Sequence, residues 1–158
     1  MQHRMKEFSM TQEQMEALLE RAMVGRVSTN GRDGYPYTVA VHFVYLDGRI
    51  YFHGLLKGQK LENLVKDSRI CFEVDEMAGI LRDKLDTACK ADTAYESVVA
   101  AGEAFLVEEL PKKGRVLRVL TRKYIPDSDD LPMPETRIRN TAVVELIPAR
   151  MTGKYHRA

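Results

Sequence analysis

Residues 35–54 constrain the fold more than any other stretch of the sequence. Apolar and polar residues alternate up to an Asp-Gly pair, the two-residue sequence favoured by a type I′ β-hairpin, and a second short strand follows it. A two-residue loop fixes the register, which predicts Tyr45 opposite Ile50 and Phe43 opposite Phe52. Because these four side chains share one face of the hairpin, we expect that face to lie in a hydrophobic core.

The opposite face of this hairpin is mixed, and two interpretations of it remain open. It carries small, aromatic and titratable side chains together, namely Thr38, Ala40, His42, Val44, Tyr51 and His53. Such a face can line a ligand cleft, and it can equally be a half-solvated sheet surface. The register predicts His42 opposite His53, and facing imidazoles can bind a metal, titrate as a pair or pack. Since no third ligand has obvious geometry nearby, we expect no metal site.

The rest of the chain adds strands and three helices. A capping box that begins at Thr11 predicts a helix at 11–23. Further helices are predicted at 57–66 and 111–124, and further strands at 24–29, 70–74, 94–108 and 138–147. Residues 77–92 show no clean period and are expected to form an irregular loop. The sum is about six mostly antiparallel strands, which predicts a mainly β protein with peripheral helices around a closed or nearly closed barrel.

Composition excludes several classes of protein. The 158 residues are the usual size of one domain, taken as residues 1–158. The 24 Lys and Arg against 23 Asp and Glu argue against nucleic-acid binding through bulk positive charge. Cys71 and Cys89 lack the spacing of a zinc site or a disulfide framework, and we expect reduced thiols. Without a bilayer-length apolar run or a signal peptide, the expected location is the cytoplasm, with no membrane partner.

The helix start after His53 is the place where the pattern favours a ligand. A helix N-terminus offers unpaired amides and a partial positive charge, and so can hold a phosphate group. Lys57 and Lys60 lie on its first turn, and Gly54 and Gly58 allow the backbone to approach an anion. Two solvated lysines near a helix end would give the same pattern, and spacing alone does not separate the two interpretations. The motifs of acyl transfer, zinc proteolysis and P-loop chemistry are absent from the sequence.

Five segments carry a further signal when they are taken in order. They are residues 25–29 (GRVST), 33–45 (DGYPYTVAVHFVY), 47–54 (DGRIYFHG), 58–64 (GQKLENL) and 71–75 (CFEVD). Residues 95–99 (YESVV), Gly102 and the closing Gly153-Lys154 continue the set. In this order the segments resemble the FMN-binding split-barrel flavoproteins. The branch that they resemble most is the nitroimidazole-resistance proteins, relatives of pyridoxamine 5′-phosphate oxidase, over about residues 10–155.

The resemblance implies a six-stranded antiparallel split β-barrel and a homodimer with FMN bound at the dimer interface. It implies that the isoalloxazine edge lies along Tyr37, Thr38, Val39, Ala40 and Val41, and that His53 and Gly54 lie beside the flavin. Lys57, Gln59 and Lys60 are the implied phosphate contacts. From the partner subunit, the implied contacts are Ser97 and Val98. His53 is also the implied catalytic residue, as a polar contact to substrate or flavin. No metal ligand is implied.

The implied activity is that of an FMN-dependent oxidoreductase, which passes electrons from a nicotinamide donor, NAD(P)H, to a small acceptor such as a nitroaromatic. An alternative on the same fold is a non-catalytic module that binds or senses flavin or haem. Two positions depart from the pattern: His42 stands where many relatives have Asn, and Tyr155 lies near a position where relatives often carry Trp. The longer C-terminal element of true pyridoxamine-phosphate oxidases is missing from this sequence, so pyridoxal-phosphate synthesis is not expected.

Overall fold

One antiparallel sheet organises the residues that the computed structural model describes, 7–82 and 87–157. Its strands in chain order are β1 (Gly25–Asn30), β2 (Pro36–Val41), β3 (Phe43–Leu46), β4 (Arg49–Gly54), β5 (Arg69–Leu81), β6 (Asp92–Leu106) and β7 (Ala142–His156). Their order across the sheet is β2-β1-β5-β6-β7-β4-β3, and every neighbouring pair is antiparallel. The fold is therefore mainly β, as the sequence predicts.

The two edge strands of this sheet, β2 and β3, follow one another in the chain and are separated by His42 alone. Because one residue spans at most about 3.6 Å, the sheet must curl until its two edges meet at His42. The edges meet end to end and do not pair side by side, which is the predicted split barrel. The sequence predicts six strands because residues 35–45 alternate as one run; the break at His42 makes two strands of that run, and the sheet has seven.

The predicted hairpin is confirmed, together with its register. Tyr45 pairs with Ile50, and Phe43 pairs with Phe52. The two turn residues between β3 and β4 both have positive φ, as a type I′ turn requires. Phe43, Ile50 and Phe52 are fully buried, so this face of the hairpin does lie in a core.

The barrel interior holds the main hydrophobic core. The sheet contributes fully buried Val27, Phe43, Ile50, Phe52, Phe72, Val74, Val98 and Leu146. Two helices close this core: α1 (Gln12–Arg21) adds Leu18 and Leu19, and α2 (Gln59–Lys66) adds Leu61 and Leu64. Burial of aliphatic and aromatic side chains of this size contributes about 1.5–3 kcal/mol each. The predicted capping box of α1 is present, with Thr11 and Gln14 bonded reciprocally.

A helix covers most of the other face of the β3–β4 hairpin. Helix α3 (Leu110–Tyr124) places Val116 and Leu120 against Val44 and Tyr51, and these four residues belong to a second core. Val44 and Tyr51 are therefore buried beneath α3 and do not form a half-solvated surface; Val44 borders a separate cavity of about 330 Å³ together with Tyr45 and Val119. The helix begins one residue before its predicted start at 111, with Pro in its first turn.

The predicted irregular loop over 77–92 is wrong at both ends. Strand β5 continues to Leu81 and β6 begins at Asp92, and these two residues pair. The register shifts between Met77 and Gly79, and this bulge interrupts the alternation that would have marked the strand. Between the two strands lies a short 3₁₀ turn at Ala88–Lys90, and residues 83–86 of the predicted loop lie outside the described residues.

The last strand runs from Ala142 to His156 and not over the predicted 138–147, and it follows a short helix α4 (Glu135–Arg139). It pairs with β6, and the register shifts between Ala101 and Gly102. A Cβ atom at position 102 would lie 2.1 Å from the carbonyl oxygen of Ile147, so this irregularity of the ladder requires glycine. Within residues 7–82 and 87–157, no helix combines the length and the apolar character needed to cross a bilayer.

Candidate functional site

A cleft opens where β2 passes beside the end of β4 and the first turn of α2, and we call it the β2–α2 cleft. One part is a cavity of about 250 Å³ between Tyr37, Val39 and the 54–61 segment. The other part, a cavity of about 340 Å³, extends to His42 and His53. Ala40 and Lys60 line both parts. The cleft therefore runs continuously from the helix start to the two histidines.

Nine of the twelve residues predicted to bind a cofactor line this cleft. They are Tyr37, Val39, Ala40, Val41, His53, Gly54, Lys57, Gln59 and Lys60. Strand β2, the end of β4 and the segment that leads into α2 supply them, because β2 is one edge of the curled sheet and β4 lies next to the other edge strand, β3. The fold thus brings together residues that the sequence separates by up to 23 positions.

The other three predicted residues do not line the cleft. The Thr38 hydroxyl lies 2.8 Å from that of Ser28 on β1, away from the cavity. Ser97 and Val98 lie on β6, where they pair with β5 and β7. The Val98 side chain is fully buried in the core of its own chain, and its predicted contact to a partner's cofactor stays a prediction. Ser97 is half-buried, and its predicted contact from a partner subunit stays a prediction.

The first turn of α2 faces the cleft without a side-chain cap. Its N-cap residue, Gly58, has a φ of 137° and makes no capping hydrogen bond. The amides of Gln59 and Lys60 come before the first residue that can bond within the helix, so no helical carbonyl accepts from them. A Cβ atom added at Gly58 would meet nothing within 4 Å. The helix start therefore presents free N–H donors and a partial positive charge to an open space.

Lys60 places a half-buried ammonium group at the same point. Its Nζ atom lies 5.0 Å from the centroid of the Phe52 ring and 3.5 Å from the place that a Cβ atom at Gly54 would occupy. Burial lowers the pKa of Lys60. Within the described residues, no carboxylate forms an ion pair with it. A half-buried cation without an anionic partner is costly, and an anion in the cleft would offset that cost.

His53 contributes a half-buried imidazole ring to the cleft. The residue is the penultimate one of β4, pairs with Val143 and is half-buried; its Nδ1 atom is buried and has no hydrogen-bond partner in the described chain. Burial lowers the pKa of His53, and the charges of His42 and Lys60 lower it further. The ring is therefore neutral at pH 7, with one nitrogen as donor and the other as acceptor.

His42 does not continue the hairpin ladder toward His53 as the register predicts, because the ladder ends at Phe43 and Phe52. Its exposed ring instead stacks on Tyr124 of α3, with ring centroids 4.2 Å apart. Both histidines nevertheless line the cleft. In the described ranges, His, Cys, Asp and Glu side chains form no group of three that could hold a metal ion.

Sequence reasoning misses three lining residues, Val24, Leu55 and Leu61. Leu55 carries a usable signal, since it follows the predicted Gly54 directly and is a leucine beside a proposed ligand corner; it is 80% exposed. The sequence places His42 on the mixed face that can line a cleft but not among the residues predicted to bind the cofactor, and the residue does line the cleft. Val24 carries no signal, because only the curl of the sheet brings the start of β1 to this cleft.

Comparison with known proteins places the fold. Among solved structures, the flavocytochrome Anf3 from Azotobacter vinelandii is 24% identical with a TM-score of 0.86, over 99% of this chain and 73% of that one. An FAD and haem binding protein from Mycobacterium smegmatis is 19% identical with a TM-score of 0.82, over 94% and 72%. A suspected 5-nitroimidazole antibiotic resistance protein from Bacteroides thetaiotaomicron is 22% identical with a TM-score of 0.81, over 92% and 85%.

The sequence itself matches one family model. No curated protein matches it significantly. The model of the family described as pyridoxamine 5′-phosphate oxidase matches residues 11–155, from the N-cap of α1 to the penultimate residue of β7. This range contains every strand of the split barrel and the whole β2–α2 cleft. The chain therefore belongs to the pyridoxamine 5′-phosphate oxidase family.

Proposed function

We propose that this chain is a flavin-dependent oxidoreductase that binds FMN in the β2–α2 cleft. It passes electrons from a nicotinamide donor, NAD(P)H, to a small acceptor, for which a nitroaromatic is one candidate. The observation that carries the proposal is the half-buried Lys60 at an uncapped helix start, without a carboxylate partner in the described residues. Two structural neighbours support the flavin-related redox part of the proposal: the FAD and haem binding protein, and an F420 reductase that is 21% identical with a TM-score of 0.60.

The phosphate of FMN fits the first turn of α2. A phosphate monoester carries about two negative charges near pH 7 and accepts several hydrogen bonds. The free amides of Gln59 and Lys60 donate from one side and the Lys60 ammonium from the other, while Lys57 is exposed at the mouth of the cleft. Charge-assisted bonds of this kind are about twice as strong as neutral ones, and they offset the burial of Lys60.

The flavin ring fits along β2, because β2 is an edge strand. It pairs with β1 on one side only, so its other side leaves backbone N–H and C=O groups unpaired. These groups line the cleft between Tyr37 and Val41 and match the alternating donors and acceptors of a flavin edge. His53 lines the cleft, and its half-buried ring is the proposed polar contact to flavin or substrate. When FMN is bound, it supplies the electron transfer, and the protein orients it and excludes water.

The proposal includes a homodimer in which a second copy covers the cleft and contributes Ser97. Two large apolar side chains beside the helix start support this arrangement, since Leu55 is 80% exposed and Leu56 is 54% exposed. Apolar groups beside a cleft are typical of a surface that binds something. Light scattering coupled to size-exclusion chromatography tests this part: a monomer that binds one FMN with full affinity would contradict it.

A visible spectrum after FMN addition and desalting tests the cofactor. We expect flavin absorbance to remain with the protein, and its complete loss on desalting would contradict the proposal. An anaerobic titration with NADH and NADPH then tests turnover. Bleaching of the flavin, followed by its recovery when a nitroimidazole is added, is the expected result.

A non-catalytic module that binds flavin or haem is the second candidate. It is favoured by the two histidines of the cleft, because imidazole is a common haem ligand, and by neighbours that include a flavocytochrome. The same titration separates the candidates. A bound flavin that neither nicotinamide reduces supports the module, as does a Soret band that appears on haem addition and shifts in a His42→Ala or His53→Ala variant.

A further inference from the structure

A buried hydrogen-bond relay attaches helix α2 to the β1–β2 hairpin. Asn63, fully buried in the second turn of α2, donates from Nδ2 to the Thr29 hydroxyl at 2.9 Å. Thr29 is 2% exposed on β1 and lies opposite Tyr37, and its hydroxyl donates to the Tyr37 carbonyl oxygen at 3.4 Å. The relay thus links the helix that holds the anion corner to a residue that forms the opposite wall of the cleft.

The relay fixes the orientation of the Asn63 amide and leaves one of its atoms without a partner. A threonine hydroxyl has one hydrogen, and here that hydrogen is used on Tyr37, so the oxygen can only accept from Asn63. The Asn63 Oδ1 atom then points elsewhere, and no described group donates to it. An unsatisfied buried acceptor costs about 1–3 kcal/mol. A leucine at position 63, like the neighbouring Leu61 and Leu64, would fill this buried position without that cost.

We propose that Asn63 is a positioning residue for the phosphate end of the cleft. By holding α2 against β1, it sets the distance between the free amides of the helix start and strand β2, and so the fit of a phosphate group between them. This inference rests on the proposed function. The relay reaches β2 only at Tyr37, the first of the residues proposed to lie along the flavin edge, and makes no hydrogen bond to Val39, Ala40 or Val41. We therefore expect it to affect the phosphate end of the cleft more than the ring.

Two other contacts join the same elements and keep α2 docked when the relay is removed. Arg32 of the β1–β2 turn forms an ion pair with Glu62, and Asn30 donates to Asp67 at 2.8 Å. These side chains are mostly exposed, so each contact contributes little to stability and can shift with the solvent. Leu61 and Leu64 pack in the main core as well, so α2 stays docked without the relay, and the relay sets the position of the helix relative to β2.

The test compares FMN with riboflavin, which has the same ring and no phosphate. Asn63→Leu and Thr29→Val keep the side-chain volume approximately and remove the polar relay. We expect each to raise the Kd for FMN about tenfold, a change of about 1.4 kcal/mol, and the Kd for riboflavin less than twofold. The double variant should bind FMN no more weakly than either single variant, because the two substitutions break the same relay. Asn30→Ala, which removes the donor of the exposed contact to Asp67 at the far end of α2, should leave the ratio of the two Kd values unchanged.

The outcomes are distinct. A wild-type protein that binds neither FMN nor inorganic phosphate overturns the proposed function and this inference with it. Wild-type binding of FMN with unchanged affinity in both relay variants overturns this inference alone. So does an equal loss of FMN and riboflavin affinity, or a fall in thermal unfolding midpoint that parallels the loss, since Asn63 would then have a structural role only.

Discussion

The Lys60 Nζ atom lies 5.0 Å from the centroid of the fully buried Phe52 ring. The ring face attracts the ammonium group but does not neutralise its charge. The contact instead fixes the charge at the boundary between the barrel core and the β2–α2 cleft. Since Phe52 is held by its partner Phe43 across the hairpin, the position of this cation follows from the most regular part of the sequence.

Lys60→Ala is expected to weaken FMN binding by one to two orders of magnitude. A hydrogen bond to a charged group contributes about 1.5–3 kcal/mol, and each 1.4 kcal/mol is a factor of ten in Kd. Quenching of flavin fluorescence at fixed ionic strength measures the effect. Lys66→Ala is the matched control, because Lys66 is an exposed lysine in the last turn of the same helix. The Kd of this variant for FMN should stay within twofold of the wild-type value. Equal affinities of Lys60→Ala and wild type would contradict the assignment of the phosphate corner.

Gly58→Ala is expected to destabilise the protein and weaken FMN binding together. The N-cap of α2 has φ 137° and ψ 161°, a region that is essentially restricted to glycine and costs other residues about 1–3 kcal/mol. Because nothing lies within 4 Å of the added methyl group, the cost comes from the backbone and not from a clash. Urea unfolding and an FMN titration measure the two effects.

Gly114→Ala provides the matched control for that substitution. Gly114 lies within α3, where alanine is the better helix former, and its added methyl group would make ordinary contact with Ile138 at 3.4 Å. We expect unchanged or increased stability, by up to about 1 kcal/mol, and an unchanged Kd for FMN. A Gly58→Ala variant as stable as wild type would show that the helix start can relax.

The hairpin can be predicted from sequence because its determinants are local. Alternation over residues 43–46 and 49–54 selects the core face, and the two-residue turn selects the register, so the pairing of Phe43 with Phe52 follows from these residues alone. The extension of β5 to Leu81 cannot be predicted in this way. Its bulge between Met77 and Gly79 breaks the alternation, and only pairing with the distant β6 keeps the residues in the sheet.

In the candidate site, too, some residues can be predicted from local sequence and others depend on distant contacts. Nine of its residues can be placed because they lie in two segments, 37–41 and 53–60, whose meeting follows from the resemblance and from the hairpin. The relay from Asn63 to Thr29 cannot be predicted, since an asparagine within a leucine-rich helix stripe gives no sign of its partner 34 residues away. Val24 and His42 join the cleft only because the sheet curls until its edges meet.

Glu145→Gln is expected to destabilise the protein at neutral pH and progressively less in acid. Burial alone would raise the pKa of Glu145, but hydrogen bonds from Lys112, Arg49 and Tyr51 lower it from 4.5 to about 2. A lowered pKa adds stability that is complete above the unfolded value and is lost as pH falls through about 2. The loss in the variant is about 2–3 kcal/mol at pH 7, measured by urea unfolding, and it should shrink between pH 5 and pH 2.

Glu135→Gln is the control for this carboxylate. Glu135 pairs with Arg139 on the surface, where both side chains are 62% exposed, so its loss should change stability by less than about 0.5 kcal/mol at any pH. A similar pH dependence in the two variants would mean that the contacts of Glu145 contribute no more than an exposed pair.

His53 is expected to titrate below 6.5 and to move upward when a neighbouring charge is removed. Burial lowers its pKa, followed by the charges of His42 and Lys60. In the unfolded chain the His53 imidazole binds a proton near pH 6.5, whereas in the folded chain it does so only at lower pH. The stability that this difference contributes is therefore present above pH 6.5 and is lost as the pH falls through the pKa of the folded state. The imidazole Hε1 shift in proton NMR measures the pKa, with the signal assigned by its absence in His53→Gln. Lys60→Gln and His42→Asn should each raise the pKa of His53. A pKa at or above 6.5 in the wild-type protein would contradict the neutral ring, on which the proposed contact to flavin or substrate depends.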